Sequence, residues 1–294
     1  MAFDEFYTQL KDIENELRFY DFQNKIVYCP CDNYELSQFA VYFSQNFQNL
    51  KLKKLICSCF YPSQTSFFDD YKKGFWVEFD GVQWSNKNYF KSGNGDFRTA
   101  ECTELKERAD VIVTNPPFSI FIDFFFWVKN KKFITLFSQI SLLNNKLFES
   151  FKNGECWLGK TSRTHGLLFY MPNYVELHDK RHGKIENGVT FCNVSGSRWL
   201  TNFGVRKEKD LILTENFTPD RFPFLDGTQI INVDKKGEIP KDYFKEIAVP
   251  ISFFNYYNPA QFEILRKIEK PFLKGVLKNT RIVIKRIDSP PTTC

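Results

Sequence analysis

The sequence predicts an α/β fold, with a largely parallel sheet flanked by helices and joined to an irregular, β-rich C-terminal portion. Three observations carry this expectation. Short apolar strands alternate with segments of helical periodicity through the first half of the chain. Beyond about residue 150 that alternation breaks down. No internal repeat, low-complexity segment or Gly/Ser linker separates the halves, so residues 1–150 and 151–294 are expected to pack together across a boundary near 150.

In chain order, DIENELRFY has helical spacing, and NKIVYCP reads as a short strand stopped by Pro30, which cannot donate to a sheet ladder. ELSQFAVYFSQNF returns to a helical period, and LKKLICSCF is a second strand. A polar section ends in GNGDFRT, followed by a helix from about Ala100 to Arg108 and the strand DVIVT. The helix FIDFFFWVKN and the strand KKFITLF complete this half. Strands separated by helices imply parallel pairing, and ligands in such sheets bind beyond the carboxyl ends of the strands. After residue 150, LLFYM, RWLTNF and DLILTENF read as short strands among Gly, Asn, Pro and charged residues.

The chain has 294 residues, 43% hydrophobic and 26% charged, an ordinary globular composition. Its 34 Phe, 13 Tyr and 5 Trp are chiefly core filling, with a share open to base stacking. A net charge of +5 is too weak to argue for nucleic acid by itself. Between Glu263 and Arg286, however, stand Arg266, Lys267, Lys270, Lys274, Lys278, Arg281, Lys285 and Arg286, opposed only by Glu263 and Glu269. This segment reads either as a surface for phosphates or as a solvated helix face.

Eight cysteines without an apolar leader point to a reducing cytoplasm rather than a disulfide framework. No apolar stretch approaches the ~20 residues that span a bilayer, and FSIFIDFFFWV carries Asp123. Cys29-x-Cys31 and Cys57-x-Cys59 could bring four thiolates together at neighbouring strand ends. Their one-residue spacing is unlike the usual zinc-ligand loops, and cysteine also suits a buried strand, so no metal is expected. His178 and His182 fall in a charged, loop-like stretch, His165 is the only other histidine, and no hydrolytic triad is evident.

The most specific feature is Asn115-Pro116-Pro117-Phe118, set directly after the β-branched strand DVIVT. This combination suits a planar exocyclic amine, whose lone pair is delocalised and poorly nucleophilic. Acceptors at the Asn115 side chain and the Pro116 carbonyl favour a tetrahedral, more nucleophilic nitrogen. Two prolines fix φ and remove N–H donors, and Phe118 can stack on the ring. A strand end with a Pro-rich turn is the bland alternative, and the same motif can serve a glutamine side chain or an RNA base.

With these residues the chain resembles the adenine-N6-specific DNA methyltransferases of the EcoRI modification methylase family. Beyond TNPPF, the segments DEFYTQ, DIENEL, VYC-CD, LKKLI-SC, GDFR, WLG, WLTN, VPI-F and NP-QFE look like that family in the same order, covering about Asp4 to Arg286. The resemblance implies a Rossmann-like S-adenosylmethionine-dependent methyltransferase sheet with a C-terminal target-recognition portion. It implies S-adenosyl-L-methionine as methyl donor and a flipped-out adenine of double-stranded DNA as acceptor. Asn115, Pro116, Pro117 and Phe118 would be the catalytic motif. Tyr7 and Thr8 would hold the methionine end of the cofactor, Asp96 would accept from its adenine amine, and Phe97 would pack near that ring. Asp96 could instead cap the following helix.

The first strand departs from the general methyltransferase pattern, because VYCPCDN offers no glycine-rich turn. Cys29, Pro30 and Asp32 are placed near the methionine portion, with Asp32 a candidate partner for its ammonium group. LICSCF ends in no acidic residue, so no ribose partner is assigned. Lys160, Arg163, Asn193, Arg198, Asn202, Arg206 and Lys207 are candidates for base or phosphate contacts. The expected enzyme is a cytoplasmic monomer, with a cognate restriction endonuclease as a neighbour rather than an obligate subunit. Rival readings are a related methyltransferase for RNA or protein glutamine, and a non-catalytic DNA-binding relative.

Overall fold

The computed structural model describes residues 7–61, 73–91, 94–161, 167–171, 183–186, 189–194, 196–204, 206 and 209–288. The chain divides into two compact units, Met1–Val205 and Arg206–Cys294.

The first unit begins with β1 (Tyr7–Thr8), α1 (Leu10–Leu17), β2 (Ile26–Cys29) and α2 (Gln38–Gln45). Next come β3 (Lys54–Cys59), β4 (Phe75–Phe79), β5 (Asn88–Tyr89) and α3 (Ala100–Arg108). Then follow β6 (Val111–Thr114), α4 (Phe121–Val128), β7 (Lys132–Ser138) and α5 (Asn145–Lys152). The unit closes with β8 (Trp157–Leu158), β9 (Leu168–Met171), β10 (Gly183–Glu186), β11 (Val189–Asn193) and β12 (Ser197–Thr201).

Eight of these strands form one mixed sheet in the order β5-β4-β3-β2-β6-β7-β12-β8. The central strands β3, β2, β6 and β7 run parallel, as the alternation with helices requires. The flanking strands β4, β5, β12 and β8 pair antiparallel, so the sheet is mixed rather than largely parallel. β6 is buried along its whole length, which fits its run of Val111, Ile112 and Val113. Side-chain caps start the helices on cue: Ser37 accepts from the Phe39 and Ala40 amides, Thr99 from Cys102, and Asn144 from Lys146 and Leu147.

Helix α4 buries Phe121, Phe124, Phe125 and Val128, spaced to face one side. Phe97 meets Phe124 edge-on at 5.4 Å, and Phe121 packs beside Phe137 at 5.4 Å. Each fully buried ring contributes roughly 1.5–3 kcal/mol. Much of the high aromatic content is thus core filling.

Strands from both sides of residue 150 share the sheets of the first unit. RWLTNF becomes β12, which extends the large sheet by pairing Ser197–Thr201 with Ser138–Ile134, and β8 pairs on its far side. LLFYM becomes β9 in a separate antiparallel sheet of order β1-β9-β11-β10, completed by the N-terminal strand. These pairings hold residues beyond 150 within the first unit.

A buried carboxylate locks this return. Glu16 of α1 accepts from Tyr20 (2.6 Å), the Lys160 amide (2.8 Å), the Thr161 amide (2.7 Å) and the Thr161 hydroxyl (2.6 Å). Gly159 must be glycine here, because a Cβ would stand 2.3 Å from Glu16 Oε1 and 2.5 Å from Trp199 Cβ.

The second unit carries a sheet of order β13-β14-β18-β15, from β13 (Ile231–Asn232), β14 (Ile247–Pro250), β15 (Phe262–Ile268) and β18 (Arg281–Arg286). A hairpin of β16 (Phe272–Leu273) and β17 (Val276–Leu277) completes it. DLILTENF is not a strand. Its backbone is satisfied otherwise: Gln261 brackets Leu211 with bonds of 2.7 and 2.8 Å, and Asp242 accepts from the Phe217 amide at 2.7 Å. The basic C-terminal segment lies on strands rather than a helix, and several of its charges are paired internally. Arg281 is buried against Asn232 and Asp234, Arg286 against Asp288, and Arg266 pairs with Glu246.

Removing the Glu16 carboxylate takes away the acceptor of two backbone donors and two hydroxyls. Glu16→Ala is expected to lower stability by about 3 kcal/mol in urea unfolding, and Glu16→Gln by less. A loss below about 1 kcal/mol for the alanine variant would contradict this role.

Candidate active site

Parallel pairing sets the carboxyl ends of β3, β2, β6 and β7 on one edge of the sheet. The chain leaves β2 to build β3 on one side, then returns to place β6 on the other. The crevice between β2 and β6 is therefore the switch point where ligands of such sheets bind.

At this point β2 runs into Cys29, Pro30, Cys31 and Asp32. Cys31 takes φ 64° and makes the turn that glycine makes elsewhere, at a cost of roughly 1–2 kcal/mol. Asp32 is 8% exposed. Its amide donates to the Ser58 carbonyl at 2.8 Å, Ser37 Oγ donates to Oδ1 at 2.6 Å, and Thr114 Oγ1 lies 2.6 Å from Oδ2. The Thr114 hydroxyl also bonds the Pro30 carbonyl. Burial pushes the Asp32 carboxyl up to about 7, opposed only by its hydrogen bonds with Ser37 and Thr114.

Thr114 is the last residue of β6, so the next is Asn115, half-buried with its side-chain oxygen inside the protein. Pro116 is buried. Pro117 (φ −56°, ψ 129°) leads into the 3-10 turn Phe118–Ile120 and then α4. Phe118 meets Phe169 of β9 edge-on at 6.3 Å.

In the small sheet, Phe169 pairs with Thr8 and Tyr170 with Tyr7. Tyr7 stacks on Tyr170 at 5.0 Å with an interplanar angle of 13°. The Tyr170 hydroxyl lies 3.3 Å from the Leu36 carbonyl. Burial raises its phenol pKa, and the charge of nearby Asp32 adds to the rise. Thr8 is 5% exposed, and its hydroxyl has no hydrogen-bond partner among the described residues. A buried hydroxyl in that condition fits a site built to receive a polar group.

The turn bearing Asp96 lies across the end of β3. Gly95 takes φ 86°, and a Cβ there would stand 2.3 Å from the Cys59 carbonyl oxygen, so only glycine fits. Asp96 accepts from Arg98 Nε (2.9 Å), Nη2 (2.6 Å) and the Arg98 amide (2.9 Å). Those hydrogen bonds hold its carboxyl below the usual range. Thr99, rather than Asp96, caps α3. Asp32 and Asp96 both bear on the Cys31 thiol, which burial and these charges push well above the ordinary thiol range.

The structure thus brings Tyr7, Thr8, Pro30, Asp32, Asn115 and Phe118 to one end of the sheet, with Asp96 beyond Cys31. Two other candidates point their side chains inward. Cys29 lies fully buried beside Cys57, and Phe97 sits between Phe124 and Trp127. Four residues absent from the sequence reading complete the site: Ser37, Thr114, Phe169 and Tyr170. Thr114 had a visible signal, as the one polar residue in an otherwise apolar strand. The site is rich in carboxylates and carbonyls, which suits ligands presenting amino and ammonium groups.

Among the described residues no group of three or more His, Cys, Asp or Glu is placed to hold a metal ion. His165, His178 and His182 lie outside them, as do Arg163 and Lys207. No described helix is long and apolar enough to cross a membrane. Of the expected DNA contacts, Asn202 instead clamps backbone, accepting from Phe133 at 2.8 Å and donating to the Lys131 carbonyl at 2.8 Å. Arg206 lies over the Tyr257 ring at 5.2 Å, and the Lys160 amide is held by Glu16. Arg198 donates to the Ser197 carbonyl at 2.7 Å, and Asn193 is described through its backbone pairing in β11.

The family model described as "Adenine-specific methyltransferase EcoRI" matches residues 2–289. The chain is 37% identical over 292 residues to the Type II methyltransferase M.EcoRI of Escherichia coli, covering 93% of this chain and 87% of that protein. It is 32% identical over 277 residues to the Type II methyltransferase M.MpnI of Mycoplasma pneumoniae, covering 91% and 83%. A Type II methyltransferase of Mycoplasma genitalium is 33% identical over 277 residues, covering 91% and 84%. No solved structure matches the chain. The chain belongs to the EcoRI family of adenine-specific methyltransferases and, like its other members, is an S-adenosylmethionine-dependent enzyme that methylates DNA adenine.

Proposed function

We propose that the β6 strand end is where methyl transfer takes place, on an adenine turned out of a specific duplex sequence. The observation that carries this is the position of Asn115–Phe118, one residue beyond the Thr114–Asp32 hydrogen bond at the switch point. S-adenosylmethionine supplies an electrophilic methyl group on its sulfonium centre. Asn115 Oδ1 and the Pro116 carbonyl accept from the adenine amine and draw its lone pair out of the ring. Pro116 and Pro117 hold those acceptors still, and Phe118 keeps the base plane fixed, with Phe169 as its backing. The motif supplies no base, so the proton lost after transfer passes to water.

For the cofactor, Asp32 is assigned to the ammonium group and Thr8 to the methionine carboxylate, with Tyr7 stacked on Tyr170 as wall. Asp96 keeps lone pairs for the cofactor's adenine amine while Arg98 fixes its orientation. Cys29 and Pro30 act through backbone, and Phe97 anchors the Asp96 turn. This reading makes the large sheet Rossmann-like in function, with residues 1–150 as catalytic portion and residues 151–294 supplying target recognition. The Type II names of the relatives favour a modification role beside a restriction endonuclease encoded nearby, or a solitary counterpart. The enzyme is read as a cytoplasmic monomer.

The direct test is labelled S-adenosylmethionine offered with duplex DNA, RNA and protein acceptors, followed by mapping of the product. Label at adenine N6 of one DNA sequence is expected; label only in RNA or on protein glutamine would overturn the assignment. Asn115→Ala is expected to lower kcat by about 10³-fold while cofactor and DNA affinities stay within roughly threefold. Phe118→Ala should lower kcat/KM by about 10–100-fold and affect cofactor binding less. A variant whose cofactor affinity fell more than its turnover would contradict stacking.

A further inference from the structure

The hydrogen bonds around Asp32 fit best when its carboxyl group carries a proton. Thr114 has one hydroxyl proton and two acceptors in reach, the Pro30 carbonyl and Asp32 Oδ2. A neutral Asp32 resolves the conflict: its O–H donates to Thr114 Oγ1, and Thr114 donates to the Pro30 carbonyl. Ser37 serves the other carboxyl oxygen at 2.6 Å while also capping α2. Among the described residues, the other titratable groups facing this carboxyl are the Cys29 and Cys31 thiols of its own turn and the Tyr170 phenol of β9. All three have raised pKa values and stay neutral near pH 7, so these three supply no compensating charge.

We propose that Asp32 and Thr114 form one proton-linked positioning unit, in which the cofactor's ammonium group ionises Asp32 and thereby reorients the Thr114 hydroxyl beside Asn115. This rests on the assignment of Asp32 to the ammonium group. The proton lost from Asp32 passes to solvent, and the ammonium keeps its own. Thr114 then turns its hydroxyl from Pro30 toward the carboxylate, which couples an occupied cofactor site to the strand end that holds the substrate amine. Thr114 touches neither ligand and acts as a positioning residue.

The sign follows from the raised carboxyl, at about 7 in the folded protein against an ordinary 3.8. Stability from the neutral acid is fully present below about pH 4 and lost as pH rises through about 7. Asp32→Asn, which stays neutral, is therefore expected to melt higher than the wild type near pH 8.

The test is calorimetry with S-adenosylhomocysteine, which has the same amino-acid end and transfers no methyl. Near pH 6 the ligand's amine is fully charged, so titration in buffers of different ionisation enthalpy should show close to one proton released per ligand. Affinity should rise about tenfold per pH unit between about pH 5 and 6 and level off above 7. Thr114→Val removes the acceptor of the neutral acid's O–H and the stronger, charge-assisted donor to the carboxylate, so that midpoint should move up by about one pH unit. Its kcat at saturating cofactor should fall by about tenfold, with Thr114→Ser restoring both values. A valine variant with the wild-type midpoint would overturn the relay while leaving the ammonium assignment intact. An Asp32→Asn variant that kept both affinity and proton release would overturn the ammonium assignment itself.

Discussion

One buried hydroxyl ties two neighbouring strand ends together. Thr114 ends the strand that delivers Asn115, and its side chain bonds the carbonyl and the carboxylate that follow the neighbouring strand. Asn115 and the Asp32 turn are thereby tied to the same edge of the sheet through one side chain. Parallel pairing of β2 with β6 is what permits this, since it places both carboxyl ends on the same edge.

The turn after β2 solves a local problem without glycine. Cys31 carries the left-handed conformation, and the small thiol is buffered between Asp32, Cys102 and Asp96. The strain is offset by a dense set of contacts, including the Asp32 amide to Ser58 and the two hydroxyls on its carboxylate. A second turn, at Gly95, needs glycine for the opposite reason: it must lie against the Cys59 carbonyl to bring Asp96 over the end of β3.

The parts legible in the sequence were those set by local chemistry. Pro30 stopping a strand and the Phe121–Val128 helix act within a few residues, and α3 spans the expected residues. Asn115–Phe118 was legible because four unusual residues stand together. What stayed hidden depends on long-range pairing. Nothing local to LLFYM tells it to pair with Tyr7–Thr8, or RWLTNF to join β7, and these pairings carry residues past 150 into the first unit. DLILTENF looked like a strand because its alternation is real, but Gln261 and Asp242 satisfy its backbone instead. Asn202 looked like a base reader, yet both halves of its amide hold main chain around β7. Charge counts in the C-terminal segment likewise concealed that Arg281 and Arg286 are buried ion-pair partners.

The central claim is that the amide and carbonyl at the end of β6 receive an exocyclic amine. A crystal structure of the enzyme with S-adenosylhomocysteine and its target duplex tests it most directly. The account predicts an adenine out of the helix, its N6 within hydrogen-bond distance of Asn115 Oδ1 and the Pro116 carbonyl, its ring parallel to Phe118. An adenine bound with N6 directed away from both oxygens would contradict it.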